Sequence, residues 1–416
     1  MAFLLEQNPE YRHLAEGLRP PLEKALEFWA YIASPLGTMP AVNDGRRGIL
    51  PAEDLITGGR WFGREDVLWI AERLSGLPAD GPKKEPSRCS VNFPASKFAV
   101  MRSDWARDAR YMIVNYGPWG GGHSHADILS FELFAFGRAL AVDAGIGVSY
   151  DDPLHRSWYT TSRAHNMVVV DDEDLNRRMA DGEEVIWSSQ RGLDVLAATH
   201  QGYLETKGIT HRRHIAFAKP EYWVLFDVIR SREDGHRLSW VLHVPTELRM
   251  REDGYVSTDE PGLLVLYADG EALMDRREGK GRAALNGLGT EWADIGWIAL
   301  DEESRADEPI TFGVLLYPFR ESPPSIHFAK GSDLPEDKHI GHFTVGCGDR
   351  VDHLVFSDGK WRNFGDGLIA TDALFLMLRC RGDIPEYFSL VGGSRLGFQG
   401  KTLFEGKKRE DVERNL

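Results

Sequence analysis

The sequence predicts an α+β protein in which a short helical segment precedes a large antiparallel β region built of stacked sheets. Apolar residues recur at helical spacing only in the first part of the chain, whereas the later apolar segments are short and separated by turn residues. A stretch dense in proline and glycine, residues 76–87, lies between the two parts. We therefore divide the 416 residues into a helical segment, residues 1–82, and a β region, residues 88–416.

The first part of the chain contains three helical signals. Asn8 and Pro9 form a typical helix start, and Pro20 and Pro21 are predicted to open a second helix. That second helix carries an apolar stripe at helical spacing: Leu22, Ala25, Leu26, Trp29 and Ala33. A turn at 37–48 ends it, and a third helix is predicted over 64–74. Because three helices cannot easily close a domain, their apolar faces need the β region or further helices as a partner.

The β region contains strand signals almost without interruption. The predicted strands cover 97–105, 109–116, 128–144 with a hairpin turn at Gly137–Arg138, 165–170, 209–218, 222–230, 238–244, 263–268, 310–318, 342–356 and 373–380. In the segment 222–230 both alternating sets of residues are largely apolar, which predicts a strand with both faces partly buried. This amount of strand favours stacked sheets over a single small barrel.

Composition and charge exclude several classes of protein. The chain is 42% hydrophobic and 27% charged, as in an ordinary globular protein, and its net charge of −15 argues against a broad nucleic-acid-binding surface. The three cysteines are far apart and odd in number, so we expect neither a disulfide framework nor a zinc knuckle. No apolar run approaches the ~20 residues of a membrane helix, and the first residues lack the pattern of a signal peptide.

The densest polar cluster is GPWGGGHSHAD, residues 117–127. In a strand, His123 and His125 would share a face and lie close enough to hold one metal ion, or to divide into one ligand and one acid–base group. Two surface histidines after a glycine-rich turn are the alternative interpretation. The glycines are not followed by the GK[ST] of a phosphate loop, and the sequence has no GxSxG motif of a serine hydrolase. Trp119 is a candidate for stacking on a sugar.

Two later residues extend this cluster. Asp143 lies among apolar residues, where an unpaired carboxylate is costly, and His165 precedes a strongly apolar strand. Two histidines and one aspartate, with water or substrate as the fourth ligand, form a plausible zinc site. In the alternative interpretation, Asp143 caps a turn and His165 binds backbone.

These motifs together resemble the heparinase II/III family of polysaccharide lyases. The family's elements occur in order: GGHSHAD (121–127), FELFAFGR (131–138), VDAG (142–145) and RAHNMVVVD (163–171). EQNPEYRH (6–13) and GTMPAVNDG (37–45) resemble segments near the end of the family's α/α toroid. The resemblance implies a short remnant of an incomplete α/α toroid followed by an antiparallel multi-sheet β-sandwich. It also implies export to the periplasm or cell envelope, or secretion.

The resemblance further implies which residues act. The family's catalytic tyrosine and histidine positions fall on Tyr11 and His123, and a structural zinc would fall on His125, Asp143 and His165. We assign Trp119, Tyr150 and Arg163 to substrate binding. Arg138 and Arg156 are further candidates for contacts with carboxylate or sulfate, or for structural ion pairs.

The implied reaction is cleavage of a uronic-acid polysaccharide, heparan-like or alginate-like, by β-elimination. A tyrosine suits the proton transfers if its pKa is lowered, and a position in the first turn of a helix favours the phenolate. The toroid residue that binds the uronate carboxylate in the family has no counterpart here, which predicts weak activity or none for this chain. The alternatives are a β-sandwich that binds acidic glycans without cleaving them and a metal-dependent hydrolase. A homodimer is left open.

Overall fold

The computed structural model of the protein describes residues 8–45, 47–146, 150–268, 275–284, 292–331 and 340–416. Within these ranges, the helices before the first strand are α1 Arg12–Ile32, α2 Ala52–Phe62 and α3 Glu65–Ser75. The predicted third helix is confirmed as α3. No helix in the described ranges combines the length and apolar character needed to cross a membrane.

Helix α1 begins at Arg12, after the predicted start at Asn8 and Pro9, and continues to Ile32, through the region where a second helix was expected. Pro20 and Pro21 lie inside it, so the prediction that they open a second helix is wrong. Asn8 does not cap the helix; it accepts a hydrogen bond of 3.0 Å from the Glu10 backbone, and Tyr11 is the residue before the first turn. A proline removes one backbone hydrogen bond from a helix, and the packing of the last turns of α1 offsets that loss.

Helix α2 is missing from the sequence prediction because Gly58 and Gly59 weaken the helical pattern. Both glycines are needed for packing. A Cβ atom at Gly58 would lie 2.7 Å from a methyl carbon of Leu26 in α1, and one at Gly59 would lie 2.9 Å from a methyl carbon of Leu68 in α3. The two glycines therefore let the three helices approach one another closely.

The first sheet supplies the partner that the helices need. It has five antiparallel strands in chain order: β1 Val91–Phe93, β2 Phe98–Arg102, β3 Tyr111–Asn115, β4 Phe131–Ala135 and β5 Arg138–Ala141. Side chains of the helices and of one sheet face form a single buried cluster that includes Leu26, Ala30, Leu55, Val67, Ile70, Val100, Tyr111, Ile113 and Phe134. The two strands β4 and β5 confirm the predicted hairpin near Gly137.

Part of the predicted apolar stripe on α1 is not packed. Leu22 and Trp29 are 39% and 44% exposed, so the prediction that they face a partner is wrong within the described residues. Leu14 and Leu18, on the same side of the helix, are 47% and 42% exposed, as is Tyr11 at 41%. The helix is apolar over a wider arc than the sheet covers.

Three further sheets form the rest of the β region. The second sheet contains β7 Glu183–Ser189, β8 Leu193–Tyr203, β9 Ile209–Ala218, β10 Tyr222–Ser231, β12 Leu248–Arg251, β13 Gly254–Ser257, β14 Gly262–Tyr267 and β17 Ile310–Phe319, with a helical turn, α4 Leu204–Lys207, after β8. Its order is β12-β13-β14-β17-β10-β9-β8-β7. The third sheet contains β6 Val168–Val170, β11 Arg237–Val244, β15 Asp275–Ala284 and β16 Trp292–Glu303, in the order β15-β16-β11-β6.

The fourth sheet lies at the end of the chain. It contains β18 His327–Lys330, β19 Gly341–Cys347, β20 Arg350–Phe356, β21 Arg362–Phe364, β22 Ile369–Thr371, β23 Phe375–Arg381, β24 Ile384–Phe398 and β25 Lys401–Asn415. The order is β18-β19-β20-β23-β24-β22-β21, with β25 paired to β24. The predicted strand at 342–356 is thus two strands, because Gly348 forms a turn with positive φ.

The second sheet is the central layer of the sandwich. One of its faces packs on the first and third sheets, and the other packs on the fourth. In β10, Trp223 and Leu225 face the first of these cores, whereas Val224 and Phe226 face the second. This confirms the prediction that both faces of the segment 222–230 are buried, and it confirms the stacked antiparallel fold. The boundary between helical segment and β region at residues 82–88 stays a prediction.

A buried polar network crosses this central layer. Arg213 donates to both carboxylate oxygens of Asp227, at 2.7 and 3.1 Å, and His211 Nε2 lies 2.6 Å from the same carboxylate. His200 Nε2 lies 3.0 Å from His211 Nδ1, and His200 Nδ1 accepts from the Gly202 backbone. Every ring nitrogen of the two histidines is therefore paired, and their tautomers are fixed by the chain of donors.

These two histidines make the stability of the fold depend on pH. Burial lowers the pKa of His200 and of His211 below the ordinary histidine value. Since the unfolded chain takes up these protons near pH 6.5 and the folded chain does not, stability is full above that pH and is lost as the pH falls. We expect a loss of about 1.4 kcal/mol per pH unit for each group below about pH 6.5.

Urea unfolding measured from about pH 7 to about pH 5 checks this slope. The variant His327→Gln, which removes an exposed histidine, should keep the slope of the wild type. A free energy of unfolding that stays constant across this range would contradict the expected loss of stability.

Candidate functional site

Three chain segments meet at the residues singled out from the sequence: the loop between α1 and α2, the glycine-rich loop before β4, and the segment from β5 to β6. Residues 116–130 form no strand, so the prediction that His123 and His125 share a strand face is wrong. Their backbone bonds to the first loop instead: Asp44 N–H donates to His123 O at 3.1 Å, and His125 N–H donates to Asn43 Oδ1 at 2.9 Å. The His123 side chain is 79% exposed and that of His125 is 0% exposed.

Asp44 joins the two imidazoles. Its Oδ2 atom lies 2.8 Å from His123 Nδ1, and its Oδ1 atom lies 2.9 Å from His125 Nε2. Burial alone would raise the pKa of this carboxyl group, but the hydrogen bonds from His125 and His123 outweigh burial and hold the pKa below its ordinary value. Asp44 is therefore ionised at neutral pH and can only accept hydrogen bonds.

The ionised carboxylate fixes the tautomers of both rings. The hydrogen lies on Nε2 of His125 and on Nδ1 of His123, because these atoms face an acceptor. Burial lowers the pKa of His125, which keeps the ring neutral and leaves a lone pair on its Nδ1 atom. Neutral His123 carries its lone pair on Nε2, at an exposed position. The His125 imidazole thus lies in the interior, whereas the His123 imidazole is accessible to a bound molecule.

His125, Asp143 and His165 form a buried cluster in which one ligand atom of each residue lies within 4.8 Å of the others. His165 Nδ1 lies 2.8 Å from Asp143 Oδ2. Burial opposes ionisation of both groups, but their mutual attraction outweighs it, so the pKa of His165 is raised and that of Asp143 is lowered. Asp143 also accepts from the Gly145 backbone at 3.0 Å, the turn-capping contact that the sequence had left open.

Two nitrogen atoms in this cluster lack a hydrogen-bond partner within the described ranges, although both are buried: His125 Nδ1 and His165 Nε2. Buried polar atoms are nearly always paired. Two such imidazole nitrogens beside a carboxylate match the ligand preference of zinc, and Asp44 on the far nitrogen of His125 is the kind of outer partner that zinc-binding histidines have. The residues present therefore fit a metal ion.

Buried polar contacts hold the first loop against this cluster. Glu132 in β4 is fully buried, pairs with Arg47, and accepts from the backbones of Ala41 and Asp143 at 3.3 and 3.2 Å. Gly145 adopts a φ of 60°, and a Cβ atom there would lie 2.7 Å from the Gly45 carbonyl oxygen. The loop that carries Asp44 is thus fixed to the strand hairpin that carries Asp143.

Asn166 and Arg213 fix the third segment. The Asn166 amide donates to the carbonyls of Phe131 and Val142, at 2.7 and 3.1 Å, and its oxygen accepts from the His243 backbone at 2.7 Å. Arg213 Nη1 donates to the carbonyl of Asn166 at 2.8 Å and to the carbonyl of Leu129 at 2.7 Å. The same guanidinium therefore attaches two segments to the central sheet. One is the segment that carries His165, and the other is the end of the glycine-rich loop at 116–130, which carries His123 and His125 and is called the histidine loop below.

The structure brings some of the predicted substrate-binding residues to this place. The Tyr150 hydroxyl lies 3.1 Å from His123 Nδ1, and Trp119, which is 38% exposed, lies under the guanidinium of Arg178. Arg163 is exposed on a short turn, Ser162–Ala164, just before His165. Arg138 instead pairs with Asp259 at 2.6 Å, which is the structural role considered for it.

Tyr11 lies at the N-terminal end of α1. No hydrogen bond or ring contact of the described residues joins its side chain to His123. It lies at the start of α1, 41% exposed, beside the uncovered apolar stripe. The structure therefore leaves its predicted role untested, and the phenol that touches His123 is that of Tyr150.

Sequence reasoning missed the residues that orient the site. Asn43 and Asp44 lay in the predicted turn, which also resembles a toroid segment. Glu132 lay in the family motif at 131–138 and Arg213 lay in a predicted strand. None of the four residues was given a role. A charged residue within an apolar strand is the one local signal by which Glu132 and Arg213 could have been identified. Nothing local connects Asp44 to histidines about 80 residues later in the chain.

Asp44→Ala is expected to destabilise the fold by about 1–3 kcal/mol, because it leaves the buried Nε2–H of His125 without an acceptor. The matched control is Asp80→Ala, which removes a carboxylate that is 95% exposed and should change stability by no more than about 0.5 kcal/mol. Chemical unfolding of the three proteins measures both effects. Equal stability of the two variants would contradict the role given to Asp44.

Comparison with known sequences identifies one protein family and relatives that carry the same kind of name. Residues 85–301 match the family described as heparinase II/III-like, C-terminal. The heparin-sulfate lyase of Pedobacter heparinus is 27% identical over 219 residues, which are 52% of this chain and 32% of that protein. The heparin-sulfate lyase of Bacteroides stercoris is 25% identical over 218 residues, 51% of this chain and 31% of that protein. The chain thus spans about a third of the length of these relatives.

Solved structures agree on the fold. The heparan sulfate lyase HepC from Pedobacter heparinus superposes with a TM-score of 0.68 at 18% identity, over 82% of this chain and 52% of that one. A heparinase III crystal structure gives a TM-score of 0.71 at 17% identity, over 85% of this chain and 57% of that one. These likenesses confirm the expected β-sandwich architecture. Since the family match covers more than half of the sequence, this protein belongs to the heparinase II/III-like family.

Proposed function

We propose that this protein cleaves a uronic-acid-containing glycan by β-elimination, with Tyr11 and His123 transferring the protons. The observation that carries the proposal is the exposed imidazole of His123, held by the ionised Asp44 and touched by the Tyr150 hydroxyl. The relatives named as heparin-sulfate lyases support a polysaccharide substrate, and a heparan-like or alginate-like polymer is the proposed class.

The proposed elimination transfers two protons. The Nε2 lone pair of neutral His123 accepts the proton from C5 of the uronate. The electron pair of that C–H bond becomes the C4–C5 double bond, and the bond from C4 to the glycosidic oxygen breaks. The leaving oxygen takes a proton from Tyr11, and solvent exchange restores both groups. Asp44 stabilises the imidazolium that forms, as an oriented carboxylate does for a histidine base.

Trp119, Tyr150 and Arg163 are the proposed substrate-binding residues. Tyr150 reaches His123 directly, and its exposed ring and hydroxyl can contact the sugar at the reacting carbon. Arg163 offers an exposed guanidinium that can neutralise the uronate carboxylate, which makes the C5 proton easier to remove.

The proposed metal is structural. His125, Asp143 and His165 would hold a zinc ion, which when bound supplies a fixed cross-link between the histidine loop and the segment before β6. Side chains of the three residues are 0 to 2% exposed. A substrate cannot reach a centre buried to this degree, and this argues against the alternative of a metal-dependent hydrolase.

The lyase assay follows the ultraviolet absorbance of the unsaturated uronate on heparan sulfate, chondroitin, hyaluronan and alginate. We expect slow formation of product by the wild type on at least one polymer, in line with the weak activity predicted from the sequence, and a loss of at least about 100-fold in His123→Ala and Tyr11→Phe. Tyr387→Phe removes the same atom from a tyrosine that bonds Glu413 in the fourth sheet and should keep full activity.

Two results would redirect the proposal. Activity that survives Tyr11→Phe but is lost in Tyr150→Phe would transfer the proton-donating role to Tyr150. A flat trace on all four polymers, together with measurable glycan affinity, would favour the non-catalytic glycan-binding sandwich.

Zinc content tests the metal proposal. We expect about one zinc per chain by elemental analysis of the wild type, loss of zinc in His165→Ala, and a lower melting temperature after chelation. His327→Ala removes an exposed histidine and should retain the metal. Zinc in His165→Ala equal to that of the wild type would refute this ligand set.

A further inference from the structure

The guanidinium of Arg178 lies beside the candidate site and forms no ion pair with any of the described residues. Arg178 is exposed, and its guanidinium carbon lies 5.7 Å from the centroid of the Trp119 ring. Trp119 is itself 38% exposed and stands four residues before His123 in the same loop. No ion pair or side-chain hydrogen bond of Arg178 occurs within the described ranges.

Acidic residues lie close to Arg178 in the sequence, but they pair with other cations. Residues 171–174 are four consecutive carboxylates, and each is engaged by a cation other than Arg178. The pairs are Asp171 with His236 and Lys207, Asp172 with Arg237, Glu173 with Lys207, and Asp174 with Arg177. Within the described residues, Arg178 is thus an unpaired cation on an acidic segment of a chain whose net charge is −15.

The turn that carries Arg178 is fastened to the histidine loop. Arg177 donates to the Thr160 carbonyl at 2.7 Å and to the Ser124 carbonyl at 3.4 Å, and Ser124 is the residue between His123 and His125. The Asn176 side chain caps the same turn by accepting from the Arg178 backbone at 3.1 Å. The position of Arg178 relative to the two histidines is therefore set by direct hydrogen bonds.

A guanidinium packed on an aromatic ring keeps its N–H donors free at its edge. Those donors match the oxygen atoms of a sulfate or a carboxylate in a two-point contact. Trp119 also restrains the arginine side chain, so less entropy is lost when an anion binds.

We propose that Arg178, held by Trp119, is an oxoanion-binding subsite that takes the sulfate or carboxylate of a saccharide next to the one that reacts. This inference rests on the proposed function for its choice of ligand, an acidic glycan. It assigns to Arg178 a role in selecting the substrate and none in proton transfer.

Calorimetric binding of two tetrasaccharides, one from heparan sulfate and one from unsulfated heparosan, tests the subsite. All proteins carry His123→Ala so that no ligand is consumed. We expect Arg178→Gln to weaken binding about tenfold and Arg178→Lys to weaken it less, because lysine keeps the charge but loses the planar fork. The control Arg305→Gln removes an equal charge from an exposed turn that pairs with Glu308 and should bind normally.

The two ligands identify the anion. A loss of affinity for the sulfated tetrasaccharide alone assigns the subsite to sulfate, and an equal loss for both assigns it to carboxylate. Affinities of Arg178→Gln within about twofold of its parent, a similar loss in Arg305→Gln, or no binding of either ligand by the parent would overturn the inference. If Arg178→Gln weakens binding as expected but the wild type forms no unsaturated product, the lyase proposal is refuted and the subsite stands.

Discussion

The ion pair between Arg213 and Asp227 holds the candidate site on the β-sandwich. Both side chains are almost completely buried, and removing two charges from water is costly unless each hydrogen-bonding atom finds a partner. Asp227 accepts hydrogen bonds from Arg213, from His211 and from the indole N–H of Trp240. Arg213 Nη1 donates to the carbonyls of Leu129 and Asn166. The same contacts that satisfy the buried pair therefore position the two segments that carry His125 and His165.

From this anchor the site divides into an interior part and an accessible part. His125, Asp143 and His165 lie inside, where they fit a metal ion, and His123 lies at the surface. Asp44 touches both parts through one carboxylate. A reactive side chain on a loop is usually mobile, and here a buried cluster two residues away restrains it. That division explains how a glycine-rich loop can hold an imidazole in one tautomer and orientation.

The stacked sheets and about half of the strands follow from alternation and turn residues, because these patterns are local, whereas long strands such as β8, β16 and β24 were not predicted. Gly58 and Gly59 hide helix α2 from such reasoning, since their value lies in contacts with Leu26 and Leu68 from other helices. Trp29 looks like a core residue by its spacing, yet the sheet covers only part of the apolar arc of α1. The histidine pair was expected on a strand, and its backbone bonds instead to a loop distant in sequence.

The candidate metal residues were found by their order in the chain, as a resemblance, and the structure brings those three together. Asp44 was not found, because its partnership with His123 and His125 depends on how the loop after α1 folds back onto the sheet. Arg178 was not found, because the sequence does not show that the acids before it pair with other cations. Long-range pairing of this kind is set by the fold and is invisible to a local pattern.

The reaction proposed for this chain is elimination at a glycosidic bond, without hydrolysis. Cleavage of a defined acidic oligosaccharide in heavy-oxygen water, followed by mass spectrometry, separates the two reactions directly. Elimination predicts an unsaturated product that carries no label from the solvent and is lighter by one water than a hydrolysis product. A saturated product that has incorporated the heavy oxygen would contradict the account.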